Sequence, residues 1–172
     1  PQTVALQLFG KKADGTFGEA AVFSDHHVGL NKPYYLAAAV RFADDKGPGE
    51  VTFYHKDLAN DDEPLLTATV KHDIAGGVAN GQPLTLGTRP AGGGFDGLLD
   101  DVRLSAGALG VKELLFTHEA AGKQTVGYWQ FEAKPNVFRD AAGHGLDIRP
   151  AGGSPVASAD ARKTAWADLC HV

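Results

Sequence analysis

The chain has 172 residues, 43% hydrophobic and 22% charged, with a formal net charge of −5. That length suits one domain able to hide roughly 70% of its unfolded surface, and an acidic balance with no basic cluster argues against nucleic acid and anionic membrane as partners. One cysteine excludes an intrachain disulfide, no apolar run is long enough to span a bilayer, and no signal-peptide pattern is present. The sequence begins at "PQTVALQLFG", contains no methionine and reads as a piece of a longer protein, so a missing export signal excludes nothing.

Taken in order, the elements are short alternating runs between Gly, Pro, Asn and Asp clusters, the pattern of an antiparallel sandwich. "TVALQLFG" predicts a strand, "KKADGTFG" a turn and "EAAVFS" the next strand. "KPYYLAAAVRF" puts Tyr34, Leu36, Ala38, Val40 and Phe42 on one face, and "ADDKGPGE" turns the chain into "EVTFYHK". "LANDDEP" is a solvated hairpin tip, lacking the spacing of a dedicated calcium loop, before "LLTATVKH". Glycine-rich "IAGGVANGQ" then leads into "PLTLG".

In "GGGFDGLLDDVRLSAGAL" the tail alternates, so that Leu98, Val102 and Leu104 share one face with Asp100. "GALGVKELLF" reads as one short helical turn packed by Leu109, Leu114 and Leu115. "TVGYWQFE" is a strand with Trp129 and Phe131 on one face and Tyr128 on the other, and "FRDAAGHGLDI" is a turn and a short strand. "SADARKTAWADLCHV" is the one convincing helix, with Ser158 or Asp160 as N-cap and Trp166 stapling it to the sandwich. The division expected is therefore a sandwich over 1–157 and a helical tail over 158–172.

The run Phe95, Gly97, Leu99, Asp100, Asp101, Val102, Arg103, Leu104, Ala108 and Leu109 resembles the F-x-G-x-[IL]-D-[DE]-V-R-[IL]-x(3)-A-L pattern of LamG-like (laminin G) domains. "LNKPYYLAAAV" is similar to that family's W-Y-H-V-A-A strand, with Pro33 in place of Trp, and "VGYWQFE" with "FRDAAGHGLD" is similar to its opening aromatic strand and glycine turn. The resemblance covers about residues 3–150 and implies an all-β, concanavalin A-like antiparallel β-sandwich, a jelly roll. The motifs stand in reversed order, which implies circular permutation, with the 126–132 strand beside the 98–104 strand. "AWADLCHV" resembles a segment of large exported bacterial proteins that join a cytochrome c-like module to a LamG-like one. Cys170 and His171 alone do not make C-x-x-C-H, so no haem is carried over. This resemblance implies an exported domain, extracellular or periplasmic, whose partners are a glycan or other domains of the parent protein, without nucleic acid or membrane insertion.

A buried lone carboxylate costs several kcal/mol unless paired or bound to metal. The resemblance places Asp100 where related jelly rolls hold a structural calcium, and Glu132 and Asp140 are its companions because their strand is the expected neighbour; a pairing of Asp100 with Arg103 or Arg139, or a turn capped by Asp100, is the alternative. Adjacent His26 and His27 point to opposite strand faces, and nothing in the spacing gathers His55, His72, His118 and His144 into a zinc site, so surface histidines are the expectation. Catalysis is not expected. The paired glutamates of glycanase relatives are missing, as are a G-x-S-x-G elbow, a phosphate loop and H-E-x-x-H. The readings left are a recognition module for carbohydrate or protein, a structural spacer or docking domain, and a degenerate glycanase.

Overall fold

Alternation of β-branched and aromatic residues with polar ones drives about half of the described residues into antiparallel strands, as expected for an all-β protein. The computed structural model describes residues 2–77, 81, 83–87, 94–115, 122–132 and 137–150. The helix expected over 158–172 lies outside these residues, as do His118, Trp166, Cys170 and His171. The chain divides into two compact units, one up to Asp96 and one from Gly97.

In the first unit, β1 (Gln2–Lys12) and β2 (Phe17–Val28) form a long hairpin. Its turn is fixed by Asp14, whose carboxylate accepts the Thr16 N–H at 2.9 Å and the Thr16 hydroxyl at 2.6 Å, and by Gly15 at φ +82°, a left-handed conformation that glycine adopts without penalty. A second hairpin pair, β3 (Tyr34–Arg41), β4 (Gly49–Asp57) and β5 (Leu66–His72), makes its own sheet. The short β6 (Ile74–Gly77) returns to β1, giving sheet A in the order β2-β1-β6 and sheet B in the order β3-β4-β5. Gly10 permits that return, because a Cβ there would run into the carbonyl oxygen of Gly76. The β4–β5 tip, Asn60 to Pro64, is exposed as expected.

The two sheets pool one face each. Val4 and Val22 from sheet A meet Leu36, Val51 and Phe53 from sheet B in a single buried cluster, flanked by Leu6, Leu8, Val28, Tyr34, Ala38, Val40 and Val70. Burying each such side chain contributes about 1.5–3 kcal/mol. Phe42, expected in the same row, falls beyond the end of β3 and is exposed.

The second unit is built on β7 (Val102–Ser105) and β8 (Thr125–Trp129). They pair antiparallel, with Val102 opposite Trp129 and Leu104 opposite Gly127, so the aromatic strand and the L-D-D-V strand are neighbours as expected. The paired segment is shorter than the alternation implies. Asp101 sits at φ +49°, which interrupts the extended backbone, and the strand starts only at Val102. Leu98 and Leu104 are exposed while Asp100 and Val102 are buried, so the expected apolar row does not form. Trp129 is buried and donates its indole N–H to the Leu146 carbonyl at 2.7 Å. Tyr128, expected to face outward, is buried too, and its hydroxyl donates to Asp101 Oδ1 at 2.7 Å. Among the described residues between the strands stands a 3₁₀ turn, Val111–Glu113, followed by buried Leu114 and Leu115.

Candidate functional site

Of the three residues expected around calcium, Asp140 has the clearest role. It opens the segment "DAAGHGL", which the paired backbone groups of Phe138 and Ile148 close into a loop. Oδ1 accepts the N–H groups of Tyr128 at 3.0 Å and Ala142 at 2.9 Å; Oδ2 accepts those of His144 at 2.9 Å and Leu146 at 3.4 Å. Burial works to raise the pKa of this carboxyl, but the four donors outweigh it and hold the group below the usual aspartate range. Asp140 therefore ties the loop to the end of β8 through its backbone. Asp100 is buried just before β7, and Glu132 is exposed three residues beyond the end of β8. Among the described residues no three His, Cys, Asp or Glu side chains gather into a group able to hold a metal ion. The donor set of Asp140 explains part of this, since both its oxygens already serve backbone N–H groups.

The histidines depart from expectation. His55 follows Val51 and Phe53 in the inward row of β4, and His26 follows Val22 and Ser24 in that of β2. His55 is 6% exposed, and its ring lies 5.5 Å from that of His26 and 4.8 Å from that of Tyr34, on which it stacks. Neither ring nitrogen of His55 has a hydrogen-bond partner, nor does Nδ1 of His26. His72, at the other end of sheet B, is also buried, with its Nδ1 accepting the Ile74 N–H at 3.2 Å. Burial pushes all three imidazoles down in pKa. Of the adjacent pair only His27 is exposed. The signal was present in the sequence, as the shared parity of each histidine with the apolar residues before it.

The outward face of sheet B gathers aromatic and hydroxyl-bearing side chains. By alternation it carries Tyr35, Ala37, Ala39 and Arg41 from β3, Glu50, Thr52, Tyr54 and Lys56 from β4, and Thr67, Thr69 and Lys71 from β5. Tyr54 stands opposite Ala37, and Tyr35 opposite Lys56, which makes the two tyrosines diagonal neighbours. The hydroxyls of Thr52 and Thr69 lie 3.2 Å apart beside them. Glu50 is the one carboxylate in these rows, and Arg41 pairs with it at 3.4 Å. Sheet A presents a different outward face, where Phe9, Phe17 and Phe23 are 54%, 66% and 48% exposed.

No helix among the described residues is long and apolar enough to cross a membrane. Comparison of the chain with family models, with curated proteins and with solved structures finds no match.

Proposed function

We propose that the chain is a non-catalytic, LamG-like recognition module of a longer exported protein, and that it binds carbohydrate on the outward face of sheet B. The observation that carries this reading is the pair of diagonal tyrosines over a floor of small and hydroxyl-bearing residues. Aromatic rings offer a flat apolar surface with a polar handle, and a few fixed polar groups around such a surface set orientation and specificity. The C–H face of a pyranose suits the rings of Tyr35 and Tyr54; its hydroxyls suit Thr52, Thr67, Thr69 and Lys56. The motif from Phe95 to Leu109 supports the family assignment. A retaining glycosidase needs two carboxyl groups about 5–5.5 Å apart, and on this face Glu50 stands alone and paired, which supports binding without turnover.

The test is a glycan array on the 172-residue chain, with Tyr35→Ala and Tyr54→Ala compared with the parent. Retention of at least one glycan class by the parent, lost in both variants with folding intact, is the expected result. Equal binding by parent and variants would move the site elsewhere. Binding to no glycan would favour the second reading, a docking domain that meets another part of its parent protein through the outward face of sheet A, where Phe9, Phe17 and Phe23 are exposed.

A further inference from the structure

We propose that His26 and His55 form an acid-sensitive joint between the two sheets of the first unit, closed while both imidazoles are neutral and loosened when either takes a proton. One imidazole comes from each sheet, half-buried His26 on β2 of sheet A and buried His55 on β4 of sheet B, and the rings meet at 5.5 Å. A protonated imidazole carries two N–H donors and needs acceptors or water. Here three of the four ring nitrogens are buried without any partner, so the interior offers nothing to receive the added donor. Double protonation is worse, because two like charges would face each other across the joint.

The surrounding groups do not rescue the cation. On β2, Asp25 is exposed and raises the His26 pKa by less than burial lowers it. On β4, Asp57 has the same opposing effect on His55, smaller than burial and the charge of His26. Asp57 is already engaged by Lys32 at 3.3 Å and by the Ala59 N–H at 2.8 Å. From β3, Tyr34 stacks on His55, while its hydroxyl oxygen accepts the Gly29 N–H at 3.1 Å. From β1, Thr3 donates its hydroxyl to the carbonyls of Ser24 and His26, and the Ser24 hydroxyl, itself donating to Val4, accepts the His26 N–H at 3.2 Å. These bonds bridge the irregularity in β1–β2 pairing between Thr3 and Ala5 and hold the His26 backbone in place.

The direction of the effect follows from linkage. A histidine whose folded pKa lies below the unfolded value of about 6.5 contributes stability that is full above that pH and lost as the pH falls towards the folded pKa. The folding constant should therefore fall by up to about tenfold per histidine for each pH unit below about 6.5. Urea unfolding of the full chain at pH 7.5 and pH 5.5 measures this, with His55→Phe, which keeps the stacked ring, and His26→Gln, which keeps a polar side chain. The parent should lose more of its folding constant between the two pH values than either variant, by up to about tenfold. His72 remains in all three proteins, so its share cancels in the comparison. Equal pH dependence in parent and variants overturns the proposal. Should a variant fail to fold, the parent alone decides: imidazole NMR must show His26 and His55 titrating below about 6.5 in the folded chain, and a midpoint at or above that value for either overturns it equally.

Discussion

Asp140→Asn keeps the outline of the side chain and one acceptor oxygen, but sets an NH₂ group against two of the four N–H groups that the carboxylate now receives. A hydrogen bond to a charged acceptor contributes about 1.5–3 kcal/mol, so two lost bonds would amount to about 3–6 kcal/mol. The loop residues Ala141, Gly143, His144 and Leu146 are exposed, and water can replace part of what is lost, which brings the expected cost to about 2–3 kcal/mol. Asp140→Ala removes both acceptors and should cost more. Urea denaturation followed through tryptophan fluorescence reads both variants, because Trp129 adjoins the Tyr128 N–H that Asp140 accepts. The folded pKa of Asp140 is depressed, so its contribution is complete above the unfolded value of about 3.9 and disappears as the pH falls through the folded one. Parent and Asp140→Asn should accordingly converge in stability below about pH 4. Calcium in excess, or its removal by EDTA, should leave the midpoint unchanged, whereas a bound ion at 100 times its dissociation constant would add about 2.7 kcal/mol. An Asp140→Asn protein within about 0.5 kcal/mol of the parent refutes the role given to the backbone donors, and a calcium-dependent rise that vanishes in the variant restores the metal site.

Phe53→Ala empties the centre of the first unit's core, where the ring is 1% exposed, and should cost about 3–5 kcal/mol by chemical denaturation. Gly10→Ala drives a methyl group into the Gly76 carbonyl and to 2.8 Å from Ile74 Cγ2; a loss of about 1–3 kcal/mol, with faster amide exchange in β6, is expected. Trp129→Phe leaves the Leu146 carbonyl without its indole donor, and should lower stability by about 1–3 kcal/mol in a thermal melt.

Much of the strand layout was legible because alternation and turn chemistry agree. In β3 and β4 the rows Leu36, Ala38, Val40 and Val51, Phe53 announce an inward face, and "KADGT" announces the turn. Neighbouring β7 and β8 were legible through motif likeness, not through periodicity. Alternation did not foresee the break at Leu98 to Asp101, since no compositional mark announces the left-handed Asp101 that ends the extended run before Val102. "SDHHV" extended β2 beyond its expected end because hydroxyls of Thr3 and Ser24, not apolar packing, support that stretch. His26 and His55 sit in rows that could each be read separately. Their meeting depends on how sheet A faces sheet B, which no single strand encodes. Asp140 shows the same limit, because a glycine-rich turn is visible in sequence but the convergence of four amide groups on one carboxylate is not.

The return of β6 to β1 has a consequence for the order in which the first unit can be made. Each of the pairs β1–β2, β3–β4 and β4–β5 joins neighbours along the chain and can zip as soon as its second strand exists. The β6 edge is different: Lys12 must wait for Ile74, and the ion pair of Lys12 with Asp73 at 2.6 Å forms only at that moment. Loop closure over such a separation is slow compared with hairpin formation. A nascent chain ending near Asp73 would thus hold every strand of both hairpins and still lack the partner of β1 at residues 10–12, an open edge of the sort that recruits other chains. Four residues, "IAGG", are what covers the edge of β1 at residues 10–12, and they come last in the order of synthesis of this unit's strands.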